Sequence, residues 1–134
     1  MDDEIVYDSY DLDRFLEAQE LDYTLAYKEM EEGRKQSHWI WYIFPQLRGL
    51  GHSYNSIYYG LEGKEEAGAY LAHPILGERL RKICRVLLTH DDEDIYRIMG
   101  SEIDVIKLRS CMELFDSISP GDVFEEVINT FFNE

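Results

Sequence analysis

The segment "GRKQSHWIWYIFPQ", residues 33–46, decides how the chain is read. It sets Arg34, Lys35 and His38 directly before an unbroken apolar and aromatic run, Trp39 to Phe44, which Pro45 then stops. Periodicity fails here. Two β-branched residues among large apolar neighbours suit a buried strand. Ser37 as N-cap, with a proline closing the segment, suits a two-turn buried helix equally well. Function divides in the same way. The segment is either the wall of a binding site with cations at its mouth, or a core element whose charged entrance meets water.

Outward from this stretch the signals are helical. On the N-terminal side a short helix is expected from Asp11, with Leu12, Phe15 and Leu16 on one side. A second is expected over residues 21–32, where Tyr23, Ala26, Tyr27 and Met30 form a stripe that Gly33 terminates as a left-handed C-cap. Residues 1–8 read as a loose acidic tail. On the C-terminal side "RGLGHSYNS", residues 48–56, is the best candidate for a long functional loop. "IYYGLEG", residues 57–63, is compatible with a short strand. Helices are then expected from Lys64, from Pro74 to Thr89, within "HDDEDIYRIMG", from a Ser101 cap to about Ser117, and after an Asp122 cap. Six or seven short helices give an all-α, compact single-domain bundle over residues 1–134, with room for a minor strand pair.

The totals exclude several classes. A chain of 134 residues with 45% hydrophobic and 13% aromatic content can build its own core and is not a disordered chain. Acidic residues outnumber basic ones 28 to 13, a net charge of −15 that repels phosphate backbones and anionic membranes. Nucleic acid and membrane are therefore not expected partners, while a local basic pocket for one small anion is compatible with the charge. The acidic start has no apolar run of the kind a signal peptide needs. No stretch of about 18 apolar residues is available to span a membrane. The cytoplasm is the expected compartment.

Candidate chemistry is sparse. Cys84 and Cys111 fall on the apolar stripes of their helices, where cysteine acts as a small hydrophobe. No Cys or His pair has metal-ligand spacing, so no metal and no cofactor are expected. His52, His73 and His90 adjoin turns and read as surface or capping residues. His38 differs in its company. An imidazole at the edge of a hydrophobic wall is a candidate general acid or base. The indoles of Trp39 and Trp41 offer faces for a planar ring, and Lys35 a charge for an anion. In "KLRSCMELF", residues 107–115, Arg109 either pairs with Glu113 one helical turn away or turns its planar fork to a carboxylate or phosphate.

Four ordered motifs, "YDLDRFLEAQ", "GRKQSHWIWYIFPQLRGLG", "AYLAHPILGERLR" and "KLRSCMELF", together resemble a bacterial and fungal family known as domain of unknown function 1810. The resemblance spans about residues 7–132 and implies a mainly helical fold. Members have carried the label calpastatin. Calpain-inhibitor repeats are disordered and proline-rich, whereas this chain has three prolines and abundant aromatics, and the label is rejected. The family signature maps onto Arg34, Lys35, Ser37, His38, Trp39, Trp41, Pro45 and Gln46, and onto Lys107, Arg109, Ser110 and Cys111. Its mixture of polar and apolar types is that of a pocket with a few placed polar groups.

Two functions follow as expectations. In the first, a Trp/His/Lys/Arg-lined pocket binds, and in its stronger form hydrolyses, an anionic planar or nucleotide-like small molecule. Arg34, Lys35, Ser37, Trp39, Trp41, Gln46, Lys107 and Arg109 bind it, and His38 is the catalytic candidate. This requires the two motif clusters to meet in space. In the second, the chain is a non-catalytic protein-interaction module with an acidic surface and Trp39 to Phe44 as plain core. A weaker third expectation is self-association through Phe131 and Phe132.

Overall fold

The first two expected helices are one. In a computed structural model, which describes residues 10–132, α1 runs unbroken for 20 residues, Asp13–Glu32. The apparent gap at residues 17–20 contains only good helix formers and no Gly or Pro. What obscured the continuity is that Gln19 is buried as part of the inward stripe. Its amide nitrogen donates to the Tyr42 carbonyl at 2.7 Å and the Tyr70 hydroxyl at 3.1 Å. Leu21, in contrast, points to solvent. Gly33 ends α1 at φ +75°, in the left-handed region that glycine tolerates best. The His90 ring packs over that glycine and its Nε2 donates to the Met30 and Glu31 carbonyls, 2.9 and 3.0 Å away, capping the helix.

The ambiguous run resolves as a single helical turn, α2, Ile40–Ile43. Trp39, Ile40, Ile43 and Phe44 are buried, while Trp41 and Tyr42 sit half-buried on the other side. That is the helical period, and it rules out the strand. The chain then makes a compact loop, residues 46–61, of the kind whose ends meet. The Arg48 N–H donates to the Leu61 carbonyl at 2.7 Å and the Leu61 N–H to the Gln46 carbonyl at 2.8 Å. The expected strand pair reduces to this isolated parallel bridge between Leu47 and Leu61. Inside the loop lies α3, Tyr54–Tyr58, capped by the Ser53 hydroxyl. A Cβ at Gly60 would stand 2.6 Å from the Ser56 carbonyl oxygen and 2.7 Å from Arg48 Cα, so only glycine closes the loop here without distortion.

Five helices complete the fold: α4, Lys64–Ala72; α5, Leu76–Leu88; α6, Ile95–Met99; α7, Glu102–Ile118; and α8, Val123–Phe131. There are thus eight helices among the described residues rather than six or seven, all α, with no sheet. The helix expected from Pro74 begins at Leu76, because the His73 imidazole Nδ1 accepts from the N–H groups of Ile75 and Leu76 and holds Pro74 in the preceding turn. Ser101 and Asp122 cap α7 and α8 as anticipated. Glu125 does not complete a capping box, since it accepts from the Gly121 N–H at 3.0 Å. Two Arg81 nitrogens, Nε and Nη2, instead donate to one Asp122 oxygen, at 3.0 and 2.8 Å, tying α5 to the start of α8.

α7 is the axis of the molecule. It packs against α8, α4, α6 and α2, and α5 closes the far side against α1, α4 and α8. Its inward face carries Val105, Leu108, Cys111, Met112 and Phe115. Arg14 is buried under the loop of residues 46–61, where it pairs with Glu66 at 2.9 Å and donates to the Tyr58 and Gly60 carbonyls. Phe131 and Phe132 are half-buried against the core. No helix among the described residues is long and apolar enough to cross a membrane. The expected acidic tail, residues 1–8, lies outside the described residues.

Candidate functional site

The cationic entrance to the tryptophan run is folded around one carboxylate. Glu29, in the last turn of α1, is buried. Its Oε1 accepts from the N–H groups of Gln36 and Ser37 and from the Trp39 indole, at 2.8, 3.0 and 2.9 Å. Its Oε2 accepts from the Ser37 hydroxyl at 2.6 Å. Burial pushes this carboxyl up, but the four donors outweigh it and hold the group below the ordinary carboxylate value. Residues 34–38 are therefore an ordered loop pinned from below, with Trp39 locked in the core.

The loop's cations are engaged by neighbouring elements. Arg34 pairs with Glu93 at 3.0 Å, ahead of α6. The Lys35 N–H donates to the Ile98 carbonyl at 2.7 Å. The Lys35 side chain is only 5% exposed, and its ammonium lies 2.8 Å from Asp104 in the first turn of α7, 2.6 Å from the Ser37 carbonyl and 4.9 Å above the Trp39 ring. One turn along α7, Lys107 lies 3.6 Å from the other Asp104 oxygen, with its ammonium 4.0 Å over the Trp41 ring. Asp104 thus receives two lysines, one from each motif cluster.

Beyond Trp41 and Lys107 the surface opens into a cavity of about 260 Å³ between α2, the loop of residues 46–61 and the outer side of α7. Trp41, Tyr59, Leu47, Leu50, Ile103 and Ile106 form most of its wall. Lys107 is the only charged residue on that wall among the described residues. Gln46, Ser56 and Ser110 add neutral polar groups. Gln46 is 8% exposed, and its amide nitrogen has no hydrogen-bond partner among the described residues. Leu50, Ile103 and Ile106 are exposed at the rim, at 63, 64 and 59%.

A family profile described as "Protein of unknown function (DUF1810)" matches residues 9–134. The chain belongs to the DUF1810 family. A solved structure also matches, the crystal structure of the conserved hypothetical protein Rv1873 from Mycobacterium tuberculosis. The two are 38% identical, with a TM-score of 0.89 over 92% of this chain and 89% of the other. A comparison with curated proteins finds no match.

In this DUF1810 member the two sequence clusters meet, but only some of the anticipated site residues share the cavity. Trp41, Gln46 and Lys107 line it. Lys35 reaches the same place indirectly, through Asp104. Arg34, Ser37 and Trp39 belong to the Glu29-centred loop and do not line the cavity. His38 is exposed and also absent from its wall. Arg109 forms the exposed i, i+4 pair with Glu113, at 3.1 Å, and its guanidinium lies 5.7 Å above the Phe132 ring. Cys84 and Cys111 are buried free thiols, pushed well above the ordinary cysteine value by burial, which makes them poor nucleophiles.

Sequence reasoning missed Glu29, Asp104 and the isoleucines of the rim. Ile103 and Ile106 did carry a signal. They stand three apart on α7 and off its core stripe, which is where an apolar surface residue calls for an explanation.

Proposed function

We propose that the protein binds a small planar organic molecule in the cavity between Trp41 and α7, with a negative group of that molecule facing Lys107. The walls are largely apolar with a few polar groups, as in small-molecule sites generally. Trp41 supplies a flat ring and Lys107 a cation over one of its faces. The observation that carries the reading is Lys107, the one charged side chain described on an otherwise neutral, largely apolar wall. The proposal is binding rather than hydrolysis, because no carboxylate, histidine or cysteine lies on the cavity wall among the described residues. The cytoplasm is the compartment we propose, on the two buried free thiols.

A thermal-shift titration with planar aromatic compounds, neutral and anionic, tests this. A ligand that binds only the folded state raises Tm, and the rise grows with the logarithm of its excess over Kd. The native protein and His38→Ala should respond alike, and Trp41→Ala should lose the response. No shift with any such compound would remove the proposal.

The interaction-module reading keeps one supporting observation, the exposed Leu50, Ile103 and Ile106 at the same opening. An apolar side chain of a partner protein would fit there. It predicts that small aromatic molecules leave Tm unchanged.

A further inference from the structure

We infer that the molecule bound in this cavity carries one negative charge, as an aromatic monocarboxylate does, and that its carboxylate displaces Asp104 as the partner of Lys107. The inference rests on the binding proposed above and adds the charge class of the ligand.

Charges do not balance at the junction of the two clusters. Lys35 and Lys107 both approach Asp104, so two ammonium groups share one carboxylate. Lys35 is the closer, at 2.8 against 3.6 Å, and the more buried. Its ammonium is also held by a second partner, the Ser37 carbonyl at 2.6 Å. Lys35 is therefore the settled partner of Asp104, and Lys107 is the surplus cation. Lys107 alone of the three lies on the cavity wall. When it turns to a ligand, Asp104 is not stranded, because Lys35 remains. The usual penalty for breaking a partly buried ion pair, an uncompensated charge, does not arise.

The remaining wall groups agree with a single charge. The cavity presents one cation, and its other polar contributors, Gln46, Ser56 and Ser110, are neutral. A carboxylate has two oxygens and can accept a charge-assisted bond from Lys107 while offering a second acceptor to a neutral donor. A polyphosphate would bring several charges to one lysine within a chain of net charge −15. The exposed aliphatic rim suits the entry of an apolar ring. The 260 Å³ available suits a molecule of one or two rings.

Isothermal titration of the native protein with 2-naphthoate, 2-naphthamide and adenosine monophosphate decides the matter, with Lys107→Met and Lys107→Arg as variants. Naphthoate should bind about tenfold or more tighter than its neutral, isosteric amide, the worth of one charge-assisted contact. Lys107→Met should erase that preference while retaining the amide's affinity, and Lys107→Arg should keep it. Equal binding of acid and amide to the native protein would overturn the inference and leave the cavity proposal standing. Tighter binding of the nucleotide than of naphthoate would do the same. No binding of any of the three would remove the cavity proposal itself, and this inference with it. If Lys107→Met does not fold, the comparison of the three compounds on the native protein is sufficient.

Discussion

Two neighbouring regions of this protein are built from the same kinds of residue and end in opposite states. The loop of residues 33–39 mixes Arg, Lys, Gln, Ser and Trp, and its Arg34, Lys35, Ser37 and Trp39 side chains all have partners. The cavity beside it also mixes Trp, Gln, Lys and Ser, yet it leaves a buried amide nitrogen unpaired and apolar side chains in water. The difference shows that polar residues set among aromatics do not by themselves mark a site. A polar group inside an apolar setting must be paired, and where the protein itself supplies the partner the residue is architecture. The informative group is the charged side chain that faces a cavity, as Lys107 does.

The largest effect expected from breaking this contrast is at Glu29. Glu29→Ala removes the acceptor of four hydrogen bonds and orphans the buried Trp39 indole N–H, so the protein should lose about 3 kcal/mol or more in urea unfolding. A loss under about 1 kcal/mol would mean the loop is held by something other than this carboxylate.

A smaller effect, on the order of 1 kcal/mol, is expected from pH. The Arg81 hydrogen bonds lead the interactions that hold Asp122 down to about 2 from 3.8. Glu29 is likewise held below its ordinary 4.5. Both folded-state values are depressed, so the unfolded chain binds more protons through this range. Their stabilisation is complete above the ordinary carboxylate values and is lost as pH falls below them, for Asp122 down to about 2. Unfolding measured against pH should slope less in Asp122→Asn and in Glu29→Gln than in the native chain. An unchanged slope in both would mean that neither carboxylate is specially held.

The smallest effect separates the two regions most sharply. Gln46→Leu removes a buried amide that lacks a partner, so stability should stay within about 1 kcal/mol of the native value or rise. Polar truncation would thus cost much in the loop and little at the cavity. A loss comparable to that of Glu29→Ala would show that Gln46 is structural, like the residues of the loop.

Legibility followed the range of the interactions involved. Ser101 and Asp122 as caps, Gly33 as a helix stop and the stripe of α7 were readable because a cap or a helical repeat is decided within a few residues. The continuity of α1 was not, because Gln19 looks like a solvent residue until Tyr42 and Tyr70 arrive to bond it. At the candidate site, Trp41 was anticipated from its chemistry, and Gln46 and Lys107 from the resemblance to the family signature. The roles of Glu29 and Asp104 were hidden among 28 acidic residues that look alike in one dimension.

What the sequence alone determined is therefore the helical class, the ends of most helices and the acidic character of the whole. These depend on local hydrogen bonding, on the apolar repeat and on composition. Only the tertiary structure decided which cations are spent inside the molecule and which faces a cavity. Pairing energy falls off over a few ångströms, and the partners of Lys35 and Lys107 are set by how α7 lies against the loop, not by their distance along the chain.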